Sequence, residues 1–163
     1  MKDHGKTKFC LGLQIEHLPN EILIHQSTYT KKKVKKHFCM DKAHPLSTLM
    51  VVRSLDDKKD SFQPQEDNEK TLGPEVSYLS AIGALMYLAN YIRPDIAFAV
   101  NLLARYSSAQ TRRHWNGIKH ILCYLSGTTD FGLFYPNGLK PQLVGYADTC
   151  YLSDPHKCRY LFP

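Results

Sequence analysis

Between Asp41 and about Thr71 the sequence carries no hydrophobic period of any kind, and this break governs what the rest of the chain can build. Pro45, Pro64, the cluster Asp56-Asp57-Lys58-Lys59-Asp60 and the polar run from Gln63 to Lys70 hold little that packs. The stretch reads as a long linker, disordered in part. A patterned half remains on each side, with strands and one basic helix before the break, then three helices and two strand-like runs after it. The pattern is that of an α+β chain.

The 163 residues suffice for one compact domain or two very small ones. With 43% hydrophobic and 22% charged residues, the composition allows a buried core and excludes wholesale disorder. The most apolar stretch, Ala81 to Ile92, is too short for a bilayer and is interrupted by Gly83 and Asn90, so it reads as a core helix. No membrane association is expected. The N-terminus lacks an apolar h-region with a cleavage site, which argues against secretion. Five scattered cysteines, Cys10, Cys39, Cys123, Cys150 and Cys158, fit free thiols in a reducing compartment, cytoplasmic or nuclear.

The formal net charge is +6, and the excess lies in the first third of the chain. Lys31, Lys32, Lys33, Lys35 and Lys36 supply most of it. Such a cluster is the electrostatic footprint of a polyanion partner, because lysines that neutralise phosphates release condensed counterions. A solvated helix face would look the same from sequence.

Lys8 to His25 reads as a β-hairpin, with Phe9, Leu11, Leu13 and Ile15 alternating, a turn at Leu18-Pro19-Asn20-Glu21, and Ile22-Leu23-Ile24 returning. Gly12 interrupts the first strand, which marks either a bulge or the close approach of another backbone. Ser27 or Thr28 then caps a helix running to about Phe38, with Tyr29, Val34 and Phe38 as its apolar contacts.

Beyond the break, Tyr78, Ile82, Leu85, Met86 and Ala89 fall at helical spacing behind Ser77. Arg93-Pro94-Asp95 ends that helix and starts another, with Pro94 at the first helical position and Ile96, Ala97, Val100, Leu103 and Ala104 on its buried stripe. Thr111 caps a third, where His114, Ile118, Ile121, Leu122 and Leu125 share a face and Gly127 is placed to end it. Arg112 and Arg113 sit at the helix end that the macrodipole makes unfavourable for cations. Phosphate binding would explain them, and so would simple exposure with salt screening. Trp115 beside them reads as a packed residue, with base stacking as the alternative.

Phe131 to Tyr135 and Gln142 to Asp148 are two strand-like runs joined by the turn signal Pro136-Asn137-Gly138. The second delivers a carboxylate, Asp148, at its end. One acid cannot build a two-metal hydrolase site, and the orientation of Asp154 is open. Neither the His37/Cys39 nor the His156/Cys158 pair has structural-zinc spacing. Phosphate-cradling glycine loops and the Gly-x-Ser-x-Gly elbow are absent from the sequence.

Several of these segments together resemble one family. Lys8-Phe9-Cys10-Leu11-Gly12-Leu13-Gln14-Ile15-Glu16 with Ile24-His25-Gln26-Ser27-Thr28-Tyr29-Thr30 is similar to the region after the catalytic Asp-Asp hairpin of copia-type LTR-retrotransposon reverse transcriptases. Gly83-Ala84-Leu85-Met86-Tyr87-Leu88 and Arg93-Pro94-Asp95-Ile96-Ala97-Phe98-Ala99-Val100 resemble that family's thumb and connection segment. His114-Trp115, Tyr124-Leu125, Gly127-Thr128 and Gly145-Tyr146-Ala147-Asp148 follow in the family's order.

The resemblance implies four regions. They are residues 1–40, the end of the palm with a primer-grip-like hairpin at Leu11, Gly12 and Leu13 plus the basic helix; 41–71, the linker; 72–127, thumb/connection-like helices forming a three-helix bundle; and 128–163, a two-stranded start of an incomplete ribonuclease H sheet. Asp148 would be the first metal-binding carboxylate of that ribonuclease H domain. No Tyr-x-Asp-Asp pair occurs, so the fingers, palm and polymerase metal site are expected upstream of Met1, which looks like an internal methionine of a longer polyprotein. Cys158 to Pro163 departs from the family pattern, which would leave the remaining carboxylates of the ribonuclease H site absent.

A truncated, catalytically inert fragment is therefore expected. It would need no cofactor, although the intact family uses Mg2+, and Asp148 would hold metal only if other carboxylates completed the site. Its partners would be RNA–DNA hybrid or other nucleic acid, bound weakly through Lys31–Lys36 and Arg112/Arg113, and the remaining Pol segments. Two other readings stand beside it: a host-adopted protein-interaction module that uses an exposed apolar helical surface, and a fragment completed in trans by another chain.

Overall fold

The computed structural model describes residues 5–40, 42–51, 60, 62–63, 69–73 and 76–138. Its elements are β1 (Phe9–Cys10), β2 (Leu13–Leu18), β3 (Glu21–His25), α1 (Ser27–Tyr29) continuing as a π-helical turn (Thr30–Lys35), α2 (Tyr78–Tyr91), a 3-10 turn (Pro94–Ile96) leading into α3 (Ala97–Ala104), α4 (Arg112–Gly127) and β4 (Gly132–Pro136). Helices and an antiparallel sheet coexist, which makes the chain α+β. No helix among the described residues is long and apolar enough to cross a membrane.

The expected hairpin is a three-stranded meander. Cys10 pairs with Leu13, so Leu11 and Gly12 form a two-residue turn that splits the first run into β1 and β2. Both central residues have positive φ, 49° at Leu11 and 82° at Gly12, as a type I′ turn demands. Gly12 is thus a turn residue and not an interruption within a strand. Leu11 hides the turn in the sequence, because leucine continues the apolar alternation whereas glycine, asparagine or aspartate is the usual occupant of such a turn.

The run after α4 has a partner that the sequence did not show. The expected joining of Phe131–Tyr135 to Gln142–Asp148 falls on a segment outside the described residues. The strand β4 lies antiparallel on β3, from Glu21 opposite Pro136 to His25 opposite Gly132, and makes the fourth strand of the order β1-β2-β3-β4. The amide of Asn137 donates to the carbonyl of Asn20 at 2.7 Å and fastens the far end of this pair.

The buried core is helical. Tyr78, Ala81, Ile82, Leu85, Leu88 and Ala89 of α2 meet Ala99, Val100, Leu102 and Leu103 of α3 and Ile118, Ile121, Leu122 and Leu125 of α4. Each fully buried Leu or Ile contributes about 1.5–3 kcal/mol relative to exposure. Met86, placed on the buried stripe from sequence, is 37% exposed, and Ala81 takes the inward position. Thr111 caps α4 as expected, in a reciprocal box in which His114 replaces the usual acid or amide at the third position. The helix does end at Gly127, where close packing is what suits glycine: a Cβ there would stand 3.1 Å from Pro45.

Pro45 belongs to the stretch expected to pack little, and parts of that stretch do pack. Phe62 is 3% exposed and joins the core, with Leu49 and Met50 beside it. Gly117 of α4 makes the space, since a Cβ there would meet the Phe62 ring at 2.7 Å. A single aromatic in a polar run leaves no periodic trace.

Neither Ser27 nor Thr28 caps α1; the N-cap position is Gln26. The orphan amide of Thr28 donates instead to Gln14 Oε1 of β2 at 2.8 Å, which anchors the helix start to the sheet. Gln26 is 2% exposed, and its Oε1 and Nε2 have no hydrogen-bond partner among the described residues. A buried unsatisfied amide is costly, so Gln26→Leu should raise unfolding stability by about 1–2 kcal/mol. Urea melts of the two proteins check this, and an unchanged or lower midpoint would show that the amide is satisfied in solution.

Candidate nucleic-acid interface

The basic run is presented along α1 and its π-helical continuation. Lys31, Lys32 and Lys36 are exposed, and none forms an ion pair among the described residues. The backbone of Lys33 and Lys35 continues the same turn, while their side chains lie outside the described set. A groove of about 510 Å³ runs between this helix and α2, lined by Tyr29, Lys32, Lys36, His37, Phe38, Ser80 and Ala84. No acidic side chain is among these residues. The groove can hold an anion between two ammonium groups, over an aromatic floor.

Tyr29 links the groove to the Leu11-Gly12 turn. Its ring packs edge-on against Tyr87 of α2 at 5.0 Å, and burial, then the neighbouring Tyr87, raises its hydroxyl pKa. Tyr87 Oη donates to the Leu11 carbonyl at 3.3 Å, and a Cβ on Gly12 would stand 2.7 Å from that hydroxyl. The close approach expected at Gly12 is real, but it is made by a side chain. Leu11 projects from the turn, 84% exposed, and Leu13 is half-buried behind it.

At the other end of the helical unit, Arg112 is exposed and Arg113 is not free. Its guanidinium forms a two-pronged pair with Glu69, Nε to Oε1 at 2.9 Å and Nη2 to Oε2. That carboxylate offsets the unfavourable position of Arg113 at the helix N-terminus. Trp115 packs against the core near Tyr78, with ring centroids 6.4 Å apart. His114 is fully buried and stacked on Tyr106 at 4.0 Å, and burial lowers its pKa.

Arg93-Pro94-Asp95, read from sequence as a break and restart, also supplies a buried polar pin in Arg93. Proline disfavours helical backbone at the residue before it, so Arg93 leaves α2 with φ −119° and ψ 64°. Its side chain turns inward, 3% exposed. The guanidinium grips Asp95 (Nε to Oδ1 2.9 Å, Nη2 to Oδ2 2.7 Å) and donates to the carbonyl and hydroxyl of Thr128, each at 2.8 Å. The rings of Phe131 and Tyr124 lie 5.3 and 5.6 Å from its central carbon. One side chain therefore ties the end of α2 to the end of α4 and the approach to β4.

Asp148 lies outside the described residues. Among the described residues no three His, Cys, Asp or Glu side chains gather to hold a metal ion. Missed from sequence was the row Tyr29–Tyr87–Tyr91, whose last two rings are 4.9 Å apart. The four-residue spacing of Tyr87 and Tyr91 was the visible signal, whereas Tyr29 reaches them only through the fold.

The described residues thus form a mixed α+β assembly that carries a basic, aromatic-floored groove. The chain is 36% identical to the retrovirus-related Pol polyprotein from transposon TNT 1-94 of Nicotiana tabacum, over 94% of this chain and 11% of the polyprotein. It is 30% identical to that from transposon RE2 of Arabidopsis thaliana, over 94% of this chain and 10% of the polyprotein. The chain belongs to the copia-type retrotransposon Pol polyprotein family, and it spans about a tenth of the length of these relatives. It is also 41% identical over 91 residues to Secreted RxLR effector protein 161 of Plasmopara viticola, which is 53% of this chain and 64% of that protein. No family model matches the chain. No solved structure matches it either.

Proposed function

We propose that the chain is a fragment of a retrotransposon reverse transcriptase/ribonuclease H polyprotein, catalytically inert by itself, that keeps a weak, salt-sensitive hold on nucleic acid, RNA–DNA hybrid or another. The observation that carries this reading is the acid-free groove between α1 and α2, with Lys32 and Lys36 at its rim and Tyr29 and Phe38 on its floor. Lys31 extends the charge along the turn whose backbone Lys33 and Lys35 share, Leu11, Gly12 and Leu13 form the primer-grip-like tip, and Arg112 adds a second phosphate contact. Arg113, engaged by Glu69, contributes less. Inertness rests on sequence: no Tyr-x-Asp-Asp pair occurs, and Asp148 corresponds to one of several carboxylates that the magnesium chemistry of the intact family requires.

The test is an anisotropy titration of labelled RNA–DNA hybrid at salt concentrations from 50 to 200 mM. Affinity should fall steeply with salt, and Lys32→Ala with Lys36→Ala should reduce the log–log slope by about 2. Absence of any affinity at low salt would sink the proposal. A stand-alone interaction module is the second reading, favoured by the likeness to effector protein 161, most of whose length is this segment. It requires no salt-dependent nucleic-acid binding.

A further inference from the structure

Ser80, Ala84, Tyr87 and Tyr91 recur at the i, i+4, i+7, i+11 spacing of one helix face, and that face of α2 flanks the buried stripe of Ile82, Leu85 and Leu88. Its first two residues line the lysine groove, the third packs on Tyr29, and the fourth carries a ring that is 50% exposed. Cations and aromatic rings therefore follow one another along about 16 Å of helix. The inner rings are committed: Tyr29 and Tyr87 hold each other, and Tyr87 also holds the Leu11 carbonyl. Tyr91 rests on Tyr87 at 4.9 Å and leaves the rest of its ring open to solvent.

We infer that this track is a binding site for single-stranded nucleic acid, in which Lys32 and Lys36 neutralise phosphates and the open ring of Tyr91 stacks on an unpaired base. The inference rests on the nucleic-acid reading above and sharpens it. Charge complementarity selects a polyanion, and an exposed ring in line with the cations selects one whose bases are free, because a base inside a duplex offers no face to stack on. A row of tyrosines behind the open ring keeps it from collapsing onto the helix, so the platform is formed before the strand arrives.

The experiment compares a labelled dT oligomer with the RNA–DNA hybrid on the wild-type chain and on Tyr91→Leu and Tyr91→Phe, with circular dichroism melts to show that the half-exposed site tolerates each change. Tyr91→Leu should weaken the dT oligomer about tenfold and leave the hybrid unchanged, while Tyr91→Phe should bind both like wild type. Equal loss on both probes, no loss on the dT oligomer, or hybrid binding without any dT binding would each overturn the inference alone. Failure of wild-type protein to bind either probe at 50 mM salt would overturn the underlying reading along with it.

Discussion

Replacing Arg93 by alanine is expected to cost about 1–3 kcal/mol of folding stability, because it removes the charge-assisted hydrogen bonds of a buried guanidinium to Asp95 and Thr128, while water takes over at the exposed carboxylate. Lysine will not rescue the site, since a single ammonium cannot reproduce the fork that holds Asp95 and Thr128 together. The pair also has a pH signature. Burial alone would raise the Asp95 carboxyl, but the hydrogen bond and charge of Arg93, aided by Tyr124 Oη, outweigh it and hold the pKa below the ordinary value. A lowered carboxyl contributes stability above its unfolded pKa and loses it as pH falls through the folded one. Wild-type protein should thus weaken in acid more steeply than Arg93→Ala. Urea melts between neutral pH and pH 3 measure both effects, and a loss below about 1 kcal/mol at neutral pH would mean that Arg93 is solvated in solution.

Gly132→Ala is the second large effect, about 1–3 kcal/mol of destabilisation, and it probes the joining of β4 to the N-terminal sheet. An added Cβ would collide with the carbonyl oxygen of Ile24, and it would stand 2.9 Å from the Cβ of His25. Backbone cannot yield as a flexible side chain does, so the strand must shift away from β3. Hydrogen exchange at the β3 and β4 amides should quicken in the variant. Unchanged stability and unchanged exchange would show that β4 does not lie on β3.

Helices α2, α3 and α4 were legible because each buries a stripe long enough to show the 3.6-residue period, and Thr111 announced the start of α4. The strand at Gly132–Pro136 was legible as a strand, but alternation names a face and never a partner, so its pairing with β3 was not. Leu11 hid a turn by continuing the apolar alternation through a pair of positive φ angles. Phe62 and Asp60, both buried, stand in a polar run whose average hydropathy announces no core contact.

The candidate site divides in the same way. Lys31, Lys32 and Lys36 were readable as a charge run, and their exposure is what such a run ordinarily does. The groove that gives them a partner surface needs Ser80 and Ala84, which lie far along the chain and bear no chemical mark. Arg113 looked like a free cation because its counter-ion, Glu69, falls in the stretch where the pattern dissolves.

The most direct test of an inert fragment that still grips its ancestral substrate is a magnesium-containing assay of the purified chain with labelled RNA–DNA hybrid, reading anisotropy and gel cleavage in the same tubes. Salt-sensitive binding with no cleavage is the expected result. Cleavage that disappears in Asp148→Asn would contradict it, because carboxylates beyond those assigned by resemblance would then complete a working site.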